Sequence, residues 1–293
     1  MMEFVYKGHT YSWNEWYKEY TRFIDRLELP NDFLVDINLR EHSILQDIGY
    51  GIAFDKFIEL YNLIASARSA LINSFEKFYD TNIISWESGY KGQLWMRFEY
   101  LKNSIIWYNS CEDYIYQIIW FAYDIYPYLI NSKEKYLKNL KECSRSKIIK
   151  TLTDIETVNP DAKTLKERLN TYRKDPYVYY IREELANSFK HRANVQAKGL
   201  ENTRLIGFSI KKKDGNDLFN SRWIEPELID IDEVIEIVSR IHVKLIELGR
   251  FILDFMNIDK MFEIDENGKS ILNKIQKKSL YKRIDFSSSK KYL

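Results

Sequence analysis

The chain has 293 residues, and its 44 Lys+Arg against 43 Asp+Glu leave a net charge of +1. That balance excludes the overall basic footprint of a nucleic-acid-binding domain, so any basic surface has to be local. Only Cys111 and Cys143 are present, with no paired ligand spacing, which excludes a disulfide scaffold or a zinc site and fits a reducing cytosol.

The length suits one large domain or two small ones, each able to bury a substantial core. Five Pro and ten Gly in the whole chain make long uninterrupted helices easy to form. The first residues, Met1-Met-Glu-Phe-Val-Tyr-Lys7, carry no apolar core of signal-peptide length, and a cytoplasmic protein is expected.

In chain order, a short strand-or-coil segment leads into an aromatic helical run from Trp13 to Leu27, stopped at Pro30. Residues 1–40 read as an N-terminal helical cap. Residues 43 to about 80 carry Ile48, Phe54, Phe57, Ile64, Leu71 and Phe75 at spacings that fit one long helix. After a Gly-marked break, Leu94 to Tyr126 forms a second long run with Leu101, Ile105, Tyr108, Ile115 and Ile118 on one broad face. Its end, Tyr114 to Ile130, is apolar, but Gln117, Asp124 and Pro127 interrupt it within a length already short for a bilayer. A buried core helix is expected there and no membrane span.

Residues 132–157 are Lys-rich and amphipathic. Asp161 is expected to cap the helix that follows, and Asp175-Pro176 to close it. A helix over 178–194 comes next. Ile206, Phe208 and Ile210 then alternate with polar residues before a Lys213-Asp-Gly-Asn216 turn and Phe219 to Ile224, which predicts a β-hairpin between 203 and 225. A last helix runs from about Asp232 to Met256. The fold class is all-α: a helical bundle built from 43–80, 94–126, 178–194 and 232–256, with a small hairpin insertion and no parallel sheet. The main domain spans 41–258. The segment 259–293 is a basic tail, with Lys274, Lys277, Lys278, Lys282, Lys290 and Lys291 among its cations, read as a solvated charge run.

The polar residues of interest lie on two helices. On the 178–194 helix, Asn187 stands about 40° and Glu184 about 20° from His191 at 100° per residue, so the three share a face. Lys190 and Arg192 flank the histidine. On the earlier helix, Asn109, Asp113 and Gln117 recur at i, i+4 and i+8. A polar stripe on an apolar helix needs partners if buried, and Asn187 and His191 are the partners expected for it. There is no Gly-rich phosphate loop, no catalytic Ser-His-Asp order and no carboxylate cluster with metal spacing. No cofactor or metal is expected.

Together, Trp107-Tyr-Asn-Ser-Cys-Glu-Asp-Tyr-Ile-Tyr-Gln-Ile-Ile-Trp120 and Leu185-Ala-Asn-Ser-Phe-Lys-His-Arg192 resemble the HEPN superfamily, the higher eukaryotes and prokaryotes nucleotide-binding domain, in its large bacterial branch. The resemblance covers mainly residues 43–256. It implies an up-down helical bundle that pairs as a homodimer. Active members cleave RNA without metal, an Arg four to six intervening positions before the His holding the phosphate while the His assists proton transfer at the ribose 2′-hydroxyl. His191 matches that His and Asn187 a frequent polar position, giving the candidate catalytic pair.

The Arg does not match. The three permitted positions hold Glu184, Leu185 and Ala186, and Arg182 stands about 180° from His191 on an α-helix. The resemblance therefore implies a catalytically degenerate module that binds RNA, nucleotide or a protein partner, in a defence or toxin–antitoxin setting, with Asn109, Asp113, Gln117, Lys190 and Arg192 as candidate binding residues. The alternative is an active metal-independent ribonuclease that uses His191 with a relocated cation. On spacing alone, Ala186 is the position where an Arg would restore the motif.

Overall fold

The structure is a computed structural model that describes residues 3–34, 37–77, 89–192, 195–201, 209–212, 214, 217–220, 225–257, 262–264 and 270–272. Its architecture is helical, with small two-stranded pairings. Two compact units are built from interleaved stretches of chain. The first comprises Met1–Glu28, Ser66–Asn109 and Pro176–His242; the second comprises Leu29–Ala65, Ser110–Asp175 and Val243–Leu293.

The first unit opens on a hairpin, β1 (Glu3–Tyr6) with β2 (His9–Ser12), whose turn places Lys7 and Gly8 at positive φ. Helix α1 (Trp13–Asp25) follows directly, and the Glu15 carboxylate accepts from the Ser12 N–H at its start, which satisfies an otherwise orphaned helix-start donor. Phe75 is the hub of the unit's aromatic core: its ring lies 4.0 Å from Phe23, 4.9 Å from Trp16 and 5.1 Å from Tyr6.

Phe75 ends α3 (Ile48–Phe75), which is shared with the second unit, as are α4 (Gly89–Ala122) and α9 (Ile231–Phe255). The long helices of the sequence reading are thus present. The first is divided, because α2 (Ile37–Gln46) stops at Asp47, whose carboxylate accepts the Tyr50 N–H and caps α3.

In the second unit, the 132–157 stretch is also two helices, α5 (Lys133–Glu142) and α6 (Arg145–Ile155), with extended backbone at Cys143 and a Ser144 cap between them. Helix α7 (Pro160–Lys174) is capped by Asn159, whose side chain accepts from the Asp161 and Ala162 N–H groups. The cap is therefore Asn159 and not Asp161. Pro160 at the first helical position has no N–H to satisfy, which makes Asn159 the natural boundary.

The expected hairpin is present as β4 (Ser209–Lys211) antiparallel to β5 (Asp217–Asn220). One pairing departs from expectation. On either side of that hairpin in sequence lie β3 (Val195–Ala197) and β6 (Glu227–Ile229), which pair in parallel. Parallel pairing needs a crossover of a dozen or more residues, and the stretch from 198 to 226 supplies it. Within the tail, the backbone of β7 (Phe262–Ile264) pairs with β8 (Ser270–Leu272); the basic residues from Lys274 onward lie outside the described residues. None of the described helices is long and apolar enough to cross a membrane.

Packing in the second unit leaves no space for a side chain at Gly49. A Cβ on Gly49 would sit 2.6 Å from the Phe121 carbonyl oxygen, closer than real contacts allow, and a backbone atom cannot swing aside. Gly49→Ala is expected to cost about 2 kcal/mol of stability through overpacking, read as a lowered midpoint in urea unfolding with an unchanged slope.

Candidate functional site

The His191 segment starts as a short α-helix, α8 (Pro176–Tyr179), and continues from Tyr180 to Arg192 with wider, π-type winding. The Asn187 N–H donates to the Arg182 carbonyl, five residues back, where a regular α-helix over 178–194 was expected. Such windings are rare and collect at functional sites.

Along this segment Ile181, Leu185, Ala186 and Ser188 are buried, while Glu184, Lys190 and His191 are exposed. Glu184 and His191 are thus both exposed, whereas the α-helical spacing had them on a face turned to the α4 stripe; the wider winding changes that angular relation. Asn187 is half-buried, and its amide donates to a Glu183 carboxylate oxygen at 3.2 Å. The other Glu183 oxygen takes the Arg182 Nε at 2.8 Å. Arg182 also lies over the Tyr179 ring. The Arg192 side chain lies outside the described residues.

The burial of this segment corrects the motif reading. Ala186, where spacing alone would restore an Arg, is fully buried, as is Leu185. An arginine there would have to bury its charge in the core, which is strongly unfavourable without a partner. Of the three permitted positions, only Glu184 carries its side chain into solvent.

The polar stripe on α4 is not buried either. Asp113 is exposed, and Asn109 and Gln117 are half-buried, because the i, i+4, i+8 row tracks the flank opposite Cys111, Ile115 and Ile118. Asn109 belongs to the first unit with Asn187 and His191, whereas Asp113 and Gln117 belong to the second. The buried acid on this helix is Glu112. It accepts from the Arg173 guanidinium at 2.7 Å and from the Tyr116 hydroxyl, and burial followed by the Glu112 charge pushes the Tyr116 phenol well up.

A second histidine, absent from the sequence reading, sits among convergent polar groups. His242 is 1% exposed. Its Nδ1 accepts from the Tyr108 hydroxyl at 2.7 Å, and its Nε2 donates to the Glu28 carbonyl at 2.8 Å. The roles follow because a carbonyl can only accept. Both ring nitrogens are satisfied by a neutral imidazole, and burial pulls the pKa from 6.5 down to about 4. Its position was readable: four residues after Val238 and three before Leu245, it falls on the inward stripe of α9.

The first unit also holds a cleft of about 450 Å3. Asp232 anchors its floor. Lys77 reaches both Asp232 oxygens, at 2.8 and 3.1 Å, and the Arg97 guanidinium bonds to the same carboxylate. Arg97 Nε donates to the Ser74 carbonyl at 2.8 Å. Burial, and then the Arg97 charge, draws the Lys77 pKa down to about 8. Sequence reasoning passed over these residues because positions 77, 97 and 232 share no local spacing.

No family model, curated protein or solved structure matches the chain. Among the described residues, no group of three or more His, Cys, Asp or Glu is placed to hold a metal ion.

The buried histidine makes stability pH-dependent. Below pH 6.5 the unfolded chain takes up a proton at His242 that the folded chain refuses until about pH 4. The stabilisation is therefore complete above pH 6.5, falls as pH drops, and is gone below about pH 4, a loss of about 3 kcal/mol at most. Urea unfolding of the wild type and of His242→Gln between pH 7 and pH 4 checks this: the wild type is expected to lose stability more steeply than the variant.

Proposed function

We propose that the chain is a HEPN-like helical module, catalytically degenerate at the His191 motif, that binds RNA, nucleotide or a protein partner rather than cleaving RNA. Homodimer pairing and a defence or toxin–antitoxin setting belong to the same reading. The observation that carries it is the chemistry around the motif. Two of the three positions open to the family's Arg are buried apolar residues, and the third is the exposed acid Glu184. Arg182 spends its Nε on Glu183, and the Asn187 amide is turned to the same carboxylate.

A phosphate approaching His191 from solvent would meet a carboxylate where active relatives offer a bidentate guanidinium. Removing one charge-assisted donor from such a site forfeits on the order of 2 to 4 kcal/mol of transition-state stabilisation. The alternative, an active ribonuclease with a relocated cation, would need Lys190, Arg192 or Arg182 to take that place.

The test is incubation of purified protein with mixed RNA in EDTA. Wild type and His191→Ala are expected to be equally inactive. Glu184→Arg, which places the cation at a permitted and exposed position, is expected to raise EDTA-resistant cleavage, and adding His191→Ala to abolish the gain. Rapid, His191-dependent cleavage by the unmodified chain would overturn the degenerate reading in favour of the relocated-cation enzyme.

A further inference from the structure

We propose that the cleft of the first unit binds a small organic oxyanion, a carboxylate or phosphate head on an apolar body. The cleft is lined by three cations, Lys77, Arg97 and Lys198, and by two acids, Asp230 and Asp232. Both acids are already engaged. Asp230 accepts the Asp232 and Glu233 N–H groups at 3.0 and 3.2 Å, capping α9, and Asp232 is held by Lys77 and Arg97.

The cations are not used up in the same way. Arg97 commits Nε and Nη2, which leaves its Nη1 without a partner among the described residues. Exposed Lys198 has no acidic partner among them at all. A planar guanidinium edge and a nearby ammonium are the usual receptor for a carboxylate or phosphate head.

The remainder of the wall sets the body of the ligand. Phe4, Val5, Leu94, Ile231 and the exposed ring of Tyr90 are apolar, and the volume lies in the range of small-molecule sites. Trp16 is 3% exposed, packs on Phe4, and lies 5.6 Å from the Lys77 ammonium. Its indole N–H has no hydrogen-bond partner among the described residues.

The experiment is isothermal titration calorimetry of the full chain with phenyl phosphate, benzoate and inorganic phosphate, and with benzamide as the neutral counterpart of benzoate. Benzoate or phenyl phosphate is expected to bind at least about tenfold more tightly than benzamide and inorganic phosphate. Because Arg97→Gln would leave Asp232 half-paired and could unfold the unit, the variants are Lys198→Glu and Tyr90→Ala at the mouth. Lys198→Glu is expected to weaken the anions about tenfold with an unchanged melting temperature.

Titration near pH 8 in buffers of differing ionisation enthalpy should also show proton uptake, since a bound anion restores the Lys77 charge. The proposal is overturned if neither benzoate nor phenyl phosphate binds at about 1 mM, if benzamide binds as well as benzoate, or if Lys198→Glu binds the anions as wild type does. None of these outcomes depends on the reading of the His191 motif.

Discussion

The first unit depends on one carboxylate. Asp232 stands in the first turn of α9 and takes Lys77, just past the end of α3, and Arg97 on α4. Three elements far apart in sequence meet at its two oxygens. The arrangement answers several electrostatic demands together: the acid lies at the positive end of a 25-residue helix, and Arg97 also satisfies the Ser74 carbonyl in the last turn of α3, a group the helix leaves orphaned. Desolvating such an ion cluster costs several kcal/mol per ion, and only multiple hydrogen bonds offset that cost. Removing any one member is therefore far more damaging than the net worth of the cluster would suggest.

The second unit uses the same device with different residues. Glu112 is held by Arg173 and Tyr116. Asn139, fully buried, pins the chain after α4 by accepting the Tyr128 N–H and donating to the Tyr128 carbonyl, while its own carbonyl receives the Trp120 indole N–H. One side chain thus replaces a pair of backbone partners in a stretch with no regular structure of its own, which is how a buried loop meets its hydrogen-bonding demand. The glycine at 49 completes the region by letting α3 approach the Phe121 carbonyl.

What could be read from the sequence follows from the range of the physics. The long helices were legible because apolar periodicity is local, and the hairpin at 209–220 because a Lys-Asp-Gly-Asn turn between alternating residues is local too. The break at Asp47 and the cap at Asn159 are also local, and were missed because propensity fixes an element better than its ends. The parallel pairing of Val195–Ala197 with Glu227–Ile229 and the Lys77–Asp232–Arg97 cluster depend on partners distant in sequence. His242 is a different case. Its inward position is legible in the α9 stripe, but the polar neighbours of His191 are near in sequence, whereas the polar partners of His242 are the remote Tyr108 and Glu28.

The exposed position of Glu184 separates two ways in which the His191 face can lack activity. If the acid merely repelled phosphate, neutralising it would suffice. At a solvent-exposed site, however, two unit charges about 4 Å apart interact by only about 1 kcal/mol, whereas the missing guanidinium accounts for on the order of 2 to 4 kcal/mol. Glu184→Gln should therefore recover at most a few-fold in any His191-dependent cleavage, far less than Glu184→Arg, when the two variants are assayed side by side in EDTA. Equal gains from Gln and Arg would mean that repulsion alone had silenced the motif, and that the cation needed for cleavage is already supplied from elsewhere in the chain.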